Sequence, residues 1–521
     1  MHPGETLESQ IRQFLTEKEK YQLGHLLTEQ GHPKTEELSE LARSDPEAGL
    51  KALFEVDLEA LETVAQRWSS SVAQLRQAVK SCVDRGGRIF LGGCGATGRL
   101  SLCLERIWRE THKGTSHDNS VLSFMAGGDV AFVHAIEGFE DYPNYGARQL
   151  EDLGFGAEDL FLGVTEGGET PFVIGATERA AEISNTAVFF LYSNPHDLLV
   201  NHVARSRKIL AHDNVIGLDL HTGPMALAGS TRMQSSTILM LVAGWCLFSL
   251  GPDSKATSDF ETYTQNLGQA LGALDLKQLS ELTIWEAEVY KSGRKSLYNC
   301  DEYSVTVFTD TTERSPTFSL AGFDNQKHPQ AVNSLTYVSI PTAETTEQAW
   351  QKLFWRAPRT LEWSEEFHKT RGEYLEGFDF SKGAKDFRKT LLGEHSDEIS
   401  IFDQPDKIEI LFAENTIEIS TQGLDILGKH LLLKMILNAH STLLMGRLGR
   451  YKSHFMTYVV PSNGKLIDRA TRYVLQLAQH DGQTLEYDEV ASQILRTQRE
   501  LKAGEPVVLA VLQRLTGNSQ A

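Results

Sequence analysis

Four stretches of this 521-residue chain carry residue types that do chemistry. In Ala126 to Asp141, AGGDVAFVHAIEGFED, the carboxylates Glu137, Glu140 and Asp141 follow a glycine turn. Clustered carboxylates raise one another's pKa and so serve as general acid and base. The same residues also read as a solvated acidic helix end. Arg88 to Leu100, RIFLGGCGATGRL, runs from an apolar strand through glycines into a helix. Glycines let backbone approach a ligand, and a helix start offers N–H groups to a phosphate. Gly95, Ala96, Thr97 and Gly98 are the candidate contacts, with Thr97 adding a hydroxyl. The spacing of Gly93, Gly95 and Gly98 also fits a dinucleotide fingerprint, but no acid stands just after the second strand to hold a ribose, since Asp118 precedes it and Asp129 lies beyond a Gly-Gly pair. A merely tight turn is the third reading. The remaining two stretches are Gly163 to Phe172, GVTEGGETPF, and Ala228 to Met233, AGSTRM, where Ser230 and Thr231 are good helix caps.

The elements that would position these residues alternate. Leu61, Val64, Trp68, Val72, Leu75, Val79 and Cys82 recur at spacings of three and four and form one face of a helix. Strands are expected at Arg88–Leu91, Val121–Met125, Leu160–Val164, Ala187–Leu191 and Val215–Leu218, with helices between them and an apolar helix from Thr231 to about Leu250. That alternation predicts a parallel sheet covered on both faces, with ligands at the carboxyl ends of its strands. A weaker alternation follows, with strands expected at Ser304–Phe308, Leu335–Ile340 and Ile408–Phe412. The last hundred residues read mainly as helix.

Composition narrows the function classes. Apolar residues are 40% and charged residues 23%, which are globular values. Seventy acidic against 50 basic residues give a formal charge of -20, which disfavours a nucleic-acid partner. The five cysteines form no CxxC pair and the histidines, His134 and His440 among them, are scattered, so neither a metal site nor a cofactor is expected. No apolar run is long enough to span a bilayer, and a cytoplasmic protein is expected.

Together the four stretches resemble the N-acetylmuramic acid 6-phosphate etherases and the glucokinase regulatory protein, which share sugar isomerase (SIS) phosphosugar-binding domains. Leu27–Gln30 with Pro33 is similar to the family's TEQ-x-x-P segment, GCGATGRL to its phosphosugar loop, and AGGD with EGFED to its A-G-G-x and E-G-x-E-D segments. AGSTRM matches outright. Lys434 to Arg450 is similar to the family's K-x-x-L-N helix, and Leu501 to Gly517 to the etherases' helical C-terminus. About 175 residues separate AGSTRM from the Lys434 helix, so the layout resembles the regulatory protein's tandem pair. The resemblance implies an α/β fold of two tandem SIS-type domains, flavodoxin-like with parallel sheets, and a helical C-terminal region. The expected boundaries are 1–50 for an N-terminal helical segment, 51–255 and 256–425 for the two domains, and 426–521 for the helical region. It also implies a monomer with an internal pseudo-dimer.

For chemistry, the resemblance implies an elimination of lactate followed by addition of water. Glu140 falls on the base position. The partner acid's position is occupied by Ile107, leaving Glu105 or Glu110 as a displaced acid. The implied ligand contacts are Gly95, Ala96, Thr97, Gly98, Gly127, Glu137, Gly167, Gly168, Thr170, Ser230, Thr231 and Lys434. Glu169 replaces an arginine of the etherases and is expected to weaken a bound phosphate. The segment Thr311–Thr317 is expected as a loop of the second domain that caps the first site. The missing acid favours a sugar-phosphate sensor or regulator whose partner is a sugar kinase. The alternative is an etherase-like lyase.

Overall fold

The computed structural model describes residues 6–136, 138–186, 188–249, 260–502 and 504–517, without the side chains of 67–71 (Trp68 among them) and 365–366. Glu137 and Ala187 lie outside the described residues. Five strands, β1 (Ile89–Gly93), β2 (Val121–Met125), β3 (Leu160–Val164), β4 (Val188–Tyr192) and β5 (Val215–Asp219), form a parallel sheet in the order β2-β1-β3-β4-β5. β1, β3 and β4 are buried at every position, as apolar strands covered on both faces must be. Each strand falls within two residues of its expected place. The chain winds from β1 to one side, then crosses to β3 on the other, so a crevice opens between the carboxyl ends of β1 and β3.

A second sheet contains β6 (Ser296–Cys300), β7 (Thr336–Ser339), β8 (Asp397–Gln404), β9 (Lys407–Phe412) and β10 (Asn415–Ser420), in the order β10-β9-β8-β6-β7. β6 is parallel to β7 and β8, whereas β8, β9 and β10 form an antiparallel meander. Its first three strands repeat the winding of β1, β2 and β3. Here the structure corrects the sequence reading at two places. Ser304–Phe308 is the start of a helix, Ser304–Phe318, and the expected loop Thr311–Thr317 is the rest of that helix. Val305, Val307 and Phe308 favour strands, but all three are fully buried in a helix packed on every side, and that packing overrides local preference.

A helix of 39 residues, Pro46–Asp84, and the buried helix Ile426–Arg447 pack between the two sheets, and Gly464–His480, Tyr487–Glu500 and Val507–Thr516 complete the C-terminal region. One continuous apolar core includes Ile89 and Leu162 of the first sheet, Leu297 and Ile399 of the second, and Leu431 between them. Among the described residues, no helix is long and apolar enough to cross a membrane.

Candidate functional site

Three loops meet at the carboxyl ends of β1, β3 and β4. After β1 the chain turns at Gly95 (φ 55°) into the helix Ala96–Thr111. Thr97 Oγ1 accepts from the Cys94 amide at 3.1 Å and donates to the Cys94 carbonyl at 2.9 Å. The Thr97 hydroxyl proton is thus used within its own loop. Gly98 is there for packing, because a Cβ on it would lie 2.4 Å from Met125 Cβ. After β3, the loop Thr165–Thr170 carries Gly167, Gly168 and Glu166 into the helix Pro171–Ile183, with Thr165 and Thr170 hydroxyls 3.1 Å apart. The amide of Phe172, in that helix's first turn, donates to the Glu140 carbonyl at 3.0 Å, which fixes the EGFED segment beside the helix start. After β4, Asn194 Nδ2 donates to Gly167 O at 3.0 Å and Thr28 Oγ1 at 2.9 Å, tying the TEQ segment to the glycine loop.

AGSTRM leads into the helix Gln234–Phe248. Its Arg232 lies in the interior and reaches Asp310 Oδ1, Ser441 Oγ and Thr442 Oγ1, each at 2.9 Å. Thr231 accepts from the Ser236 amide through its carbonyl, but the N-cap is Met233 and no side chain caps the helix, so Ser230 and Thr231 are not the caps expected from the sequence. Three buried polar atoms around the crevice have no hydrogen-bond partner among the described residues: Glu166 Oε1, Ser193 Oγ and Ser230 Oγ. Buried polar atoms are rarely left so in a finished protein, which makes these three candidates for contact with a ligand.

Charge at this site is nearly all internally paired. Glu140 is exposed, with its Oε2 3.9 Å from Cys94 Sγ. Burial first, then the charges of Glu140, Glu166 and Glu313, push the Cys94 thiol far up, so it is no nucleophile. Glu313 comes from the helix Ser304–Phe318 and pairs with Arg99. Thus the second half of the chain does reach the first sheet's site, from a helix and not from a loop. Glu169 pairs with Arg205 and Lys465. Its burial would raise its pKa, but those two cations hold it down at about 2. The repulsion of phosphate expected from Glu169 is therefore neutralised within the protein.

Two candidate acids are elsewhere. Glu105 is 1% exposed, and its carboxylate accepts from Arg109, Arg356, Arg359 and both the amide and hydroxyl of Ser123. Burial opposes its charge, but the arginines hold its pKa far below the carboxylate range, so it has no proton to give. Glu110 is fourteen residues into a helix that starts at the crevice, so about 20 Å away along the axis, where it pairs with Arg106. Burial, chiefly, raises its pKa. Lys434 is also drawn away, because its ammonium donates to Arg232 O at 3.0 Å, Thr237 Oγ1 at 2.8 Å and Asn438 Oδ1 at 3.0 Å. Gly127 (φ 91°) shapes the turn after β2, and the neighbouring Asp129 holds Arg356 and the Arg359 amide.

Two contributors escaped the sequence reading. One is the helix Gly464–His480, whose Lys465, Arg469 and Arg472 share a face at spacings of four and three. Arg469 and Arg472 clamp the buried Glu29 of TEQ at 2.6 and 2.9 Å and, with burial opposing, lower it to about 2. The other is the strap of residues 356–371, which sets Trp363 and Phe367 against Phe139 and Tyr145 of the EGFED region. The spacing of 465, 469 and 472 was a visible signal, whereas nothing local marks the strap.

Comparison with known proteins agrees with the resemblance read from the motifs. Residues 71–181 match the family model described as the glucokinase regulatory protein N-terminal SIS domain. The N-acetylmuramic acid 6-phosphate etherase of Actinobacillus pleuropneumoniae serotype 7 is 26% identical over 311 residues, 60% of this chain and 96% of its own length. That of Prochlorococcus marinus (strain MIT 9303) is 34% identical over 218 residues, 41% of this chain and 62% of its own length. Among solved structures, tagatose-6-phosphate ketose/aldose isomerase from Escherichia coli superposes with a TM-score of 0.41 at 12% identity, over 77% of this chain and 94% of its own.

Proposed function

Since residues 71–181 are an SIS domain, of a family that binds phosphosugars, we propose that the crevice between β1 and β3 binds an amino-sugar phosphate and that the protein is a carbon–oxygen lyase. The bond broken is the lactyl ether, as the names of the etherase relatives describe for those proteins. The observation that carries the reading is Glu140. Its carboxylate stands at the mouth of the crevice and its own backbone carbonyl is locked to the next helix. A base must be held within hydrogen-bond reach of the proton it takes, and this anchoring supplies that constraint. The phosphate is met by the start of the helix Ala96–Thr111, whose first N–H groups and dipole favour an anion. Ser193 and Ser230 offer hydroxyls to the sugar.

A second reading, a sugar-phosphate sensor with a sugar kinase as partner, is favoured by one observation. Ile107 is fully buried where the resemblance puts the second acid. Lactate release from N-acetylmuramic acid 6-phosphate, measured beside thermal shifts with several sugar phosphates, separates the two. Release that drops by about 100-fold or more in Glu140→Gln supports the lyase. Stabilisation without release supports the sensor.

A further inference from the structure

The lyase reading leaves the ether oxygen without a proton donor. We infer that Glu166 is that donor, a catalytic acid supplied by the loop after β3 instead of by the helix after β1. β1 and β3 are directly paired, with Gly92 opposite Gly163, so the loops bearing Cys94 and Glu166 leave the sheet side by side. Glu166 is 9% exposed, and its Oε1 has no hydrogen-bond partner among the described residues. No described cation is within ion-pair distance of it, unlike Glu29, Glu105 and Glu169. A buried carboxyl with an unused oxygen and no salt bridge keeps its proton. Burial, foremost, and the charge of Glu313 raise it to about 8, against its own backbone amide, Lys465 and Lys434. The Cys94 thiol on the neighbouring loop stays neutral as well, pushed up by burial and by the charges of Glu140 and Glu166.

The steps balance as follows on the open-chain sugar. The Glu140 carboxylate takes the C2 proton, and the pair left on C2 forms the C2–C3 double bond. The C3–O bond breaks, and the lactate oxygen leaves with the electron pair of that C3–O bond and takes the Glu166 proton. Water then adds in the reverse sense. The Glu166 carboxylate takes a proton from it, its oxygen bonds to C3, and Glu140 returns a proton to C2. The leaving oxygen and the incoming water thus share one acid–base group.

The inference rests on the lyase reading, and the test keeps the two apart. Wild type, Glu166→Gln and Glu140→Gln are compared on N-acetylmuramic acid 6-phosphate and on an analogue with 4-nitrophenolate in place of lactate, a leaving group that needs no proton. Deuterium uptake at C2 is followed in heavy water. Glu166→Gln is expected to lose lactate release by about 100-fold or more. It is expected to keep nitrophenolate release and C2 exchange within a few-fold of wild type. The alkaline fall of the wild-type rate near pH 8 should be absent from its residual activity. Glu140→Gln should lose all three. Unchanged lactate release in Glu166→Gln overturns the inference and leaves the lyase standing. Loss of nitrophenolate release and exchange in that variant also overturns it. A wild type with neither release nor exchange overturns the lyase reading and the inference with it. A melting temperature that gains on wild type as pH rises from about 4.5 to about 8 reports the same proton without any substrate, because wild type alone must hold a proton that its unfolded chain has lost.

Discussion

At the scale of the residue, the site is a set of carboxylates sorted by their neighbours. Glu29 and Glu169 are buried against cations and held near 2, while the comparably buried Glu166, without an ion pair, is pushed to about 8. Each lowered group stabilises the fold above about 4.5 and loses that contribution as pH falls toward about 2. The melting temperature should therefore fall steeply across that window, and Glu169→Gln should flatten part of the fall. Gly98→Ala tests packing instead of charge. Its new methyl carbon would sit 2.4 Å from Met125 Cβ, and overpacking of this kind costs about 1–3 kcal/mol in urea unfolding. The four chemical stretches were legible because glycine, threonine and acid types cluster at strand ends. What was not legible was occupancy. Thr97 turns inward to its own loop and Lys434 to the Arg232 carbonyl, and a sequence does not reveal which partner a side chain finds.

At the scale of the element, the first sheet was readable because apolar runs of five residues alternate with glycine turns. β6, SLYNC, escaped because it is a short strand with an internal asparagine that runs on into Asp301 and Glu302 and not into a glycine turn. The helix after it was mistaken for a strand because its β-branched run is buried on every side, where periodicity is silent. The strap of residues 356–371 has no regular pattern at all, yet its Arg356 joins Glu105 and Asp129 at 3.0 and 2.5 Å. Arg356→Ala leaves two buried carboxylates short of their partner, and a loss of about 3–5 kcal/mol is expected in denaturant unfolding. Because the strap also packs on Phe139, one residue from Glu140, the variant should raise KM or lower kcat before it unfolds.

At the scale of the molecule, the two sheets share one core and one knot of charge. Arg232, Asp310 and Ser441 come from the first sheet's region, the second's and the C-terminal helix, and meet within 2.9 Å. Phe132 and Phe308 touch across the same boundary, with centroids 6.3 Å apart. A single calorimetric transition is expected, and Asp310→Asn should lower it without splitting it. We propose that this internal pairing replaces a dimer contact. Sedimentation should then give a species of 58.0 kDa, whereas twice that mass would rule the pairing insufficient.

The clamp on Glu29 also orders events in time. Its arginine partners are 440 and 443 residues further along the chain. At about 5–20 residues per second, synthesis reaches them about 20–90 s after Glu29 is made. Until then the Glu29 carboxylate lacks the two guanidinium groups that pair with it, so the nascent protein carries an unfinished crevice. Any chain cut short before Arg469 should stay in that state and be prey to proteases at its amino-terminal end.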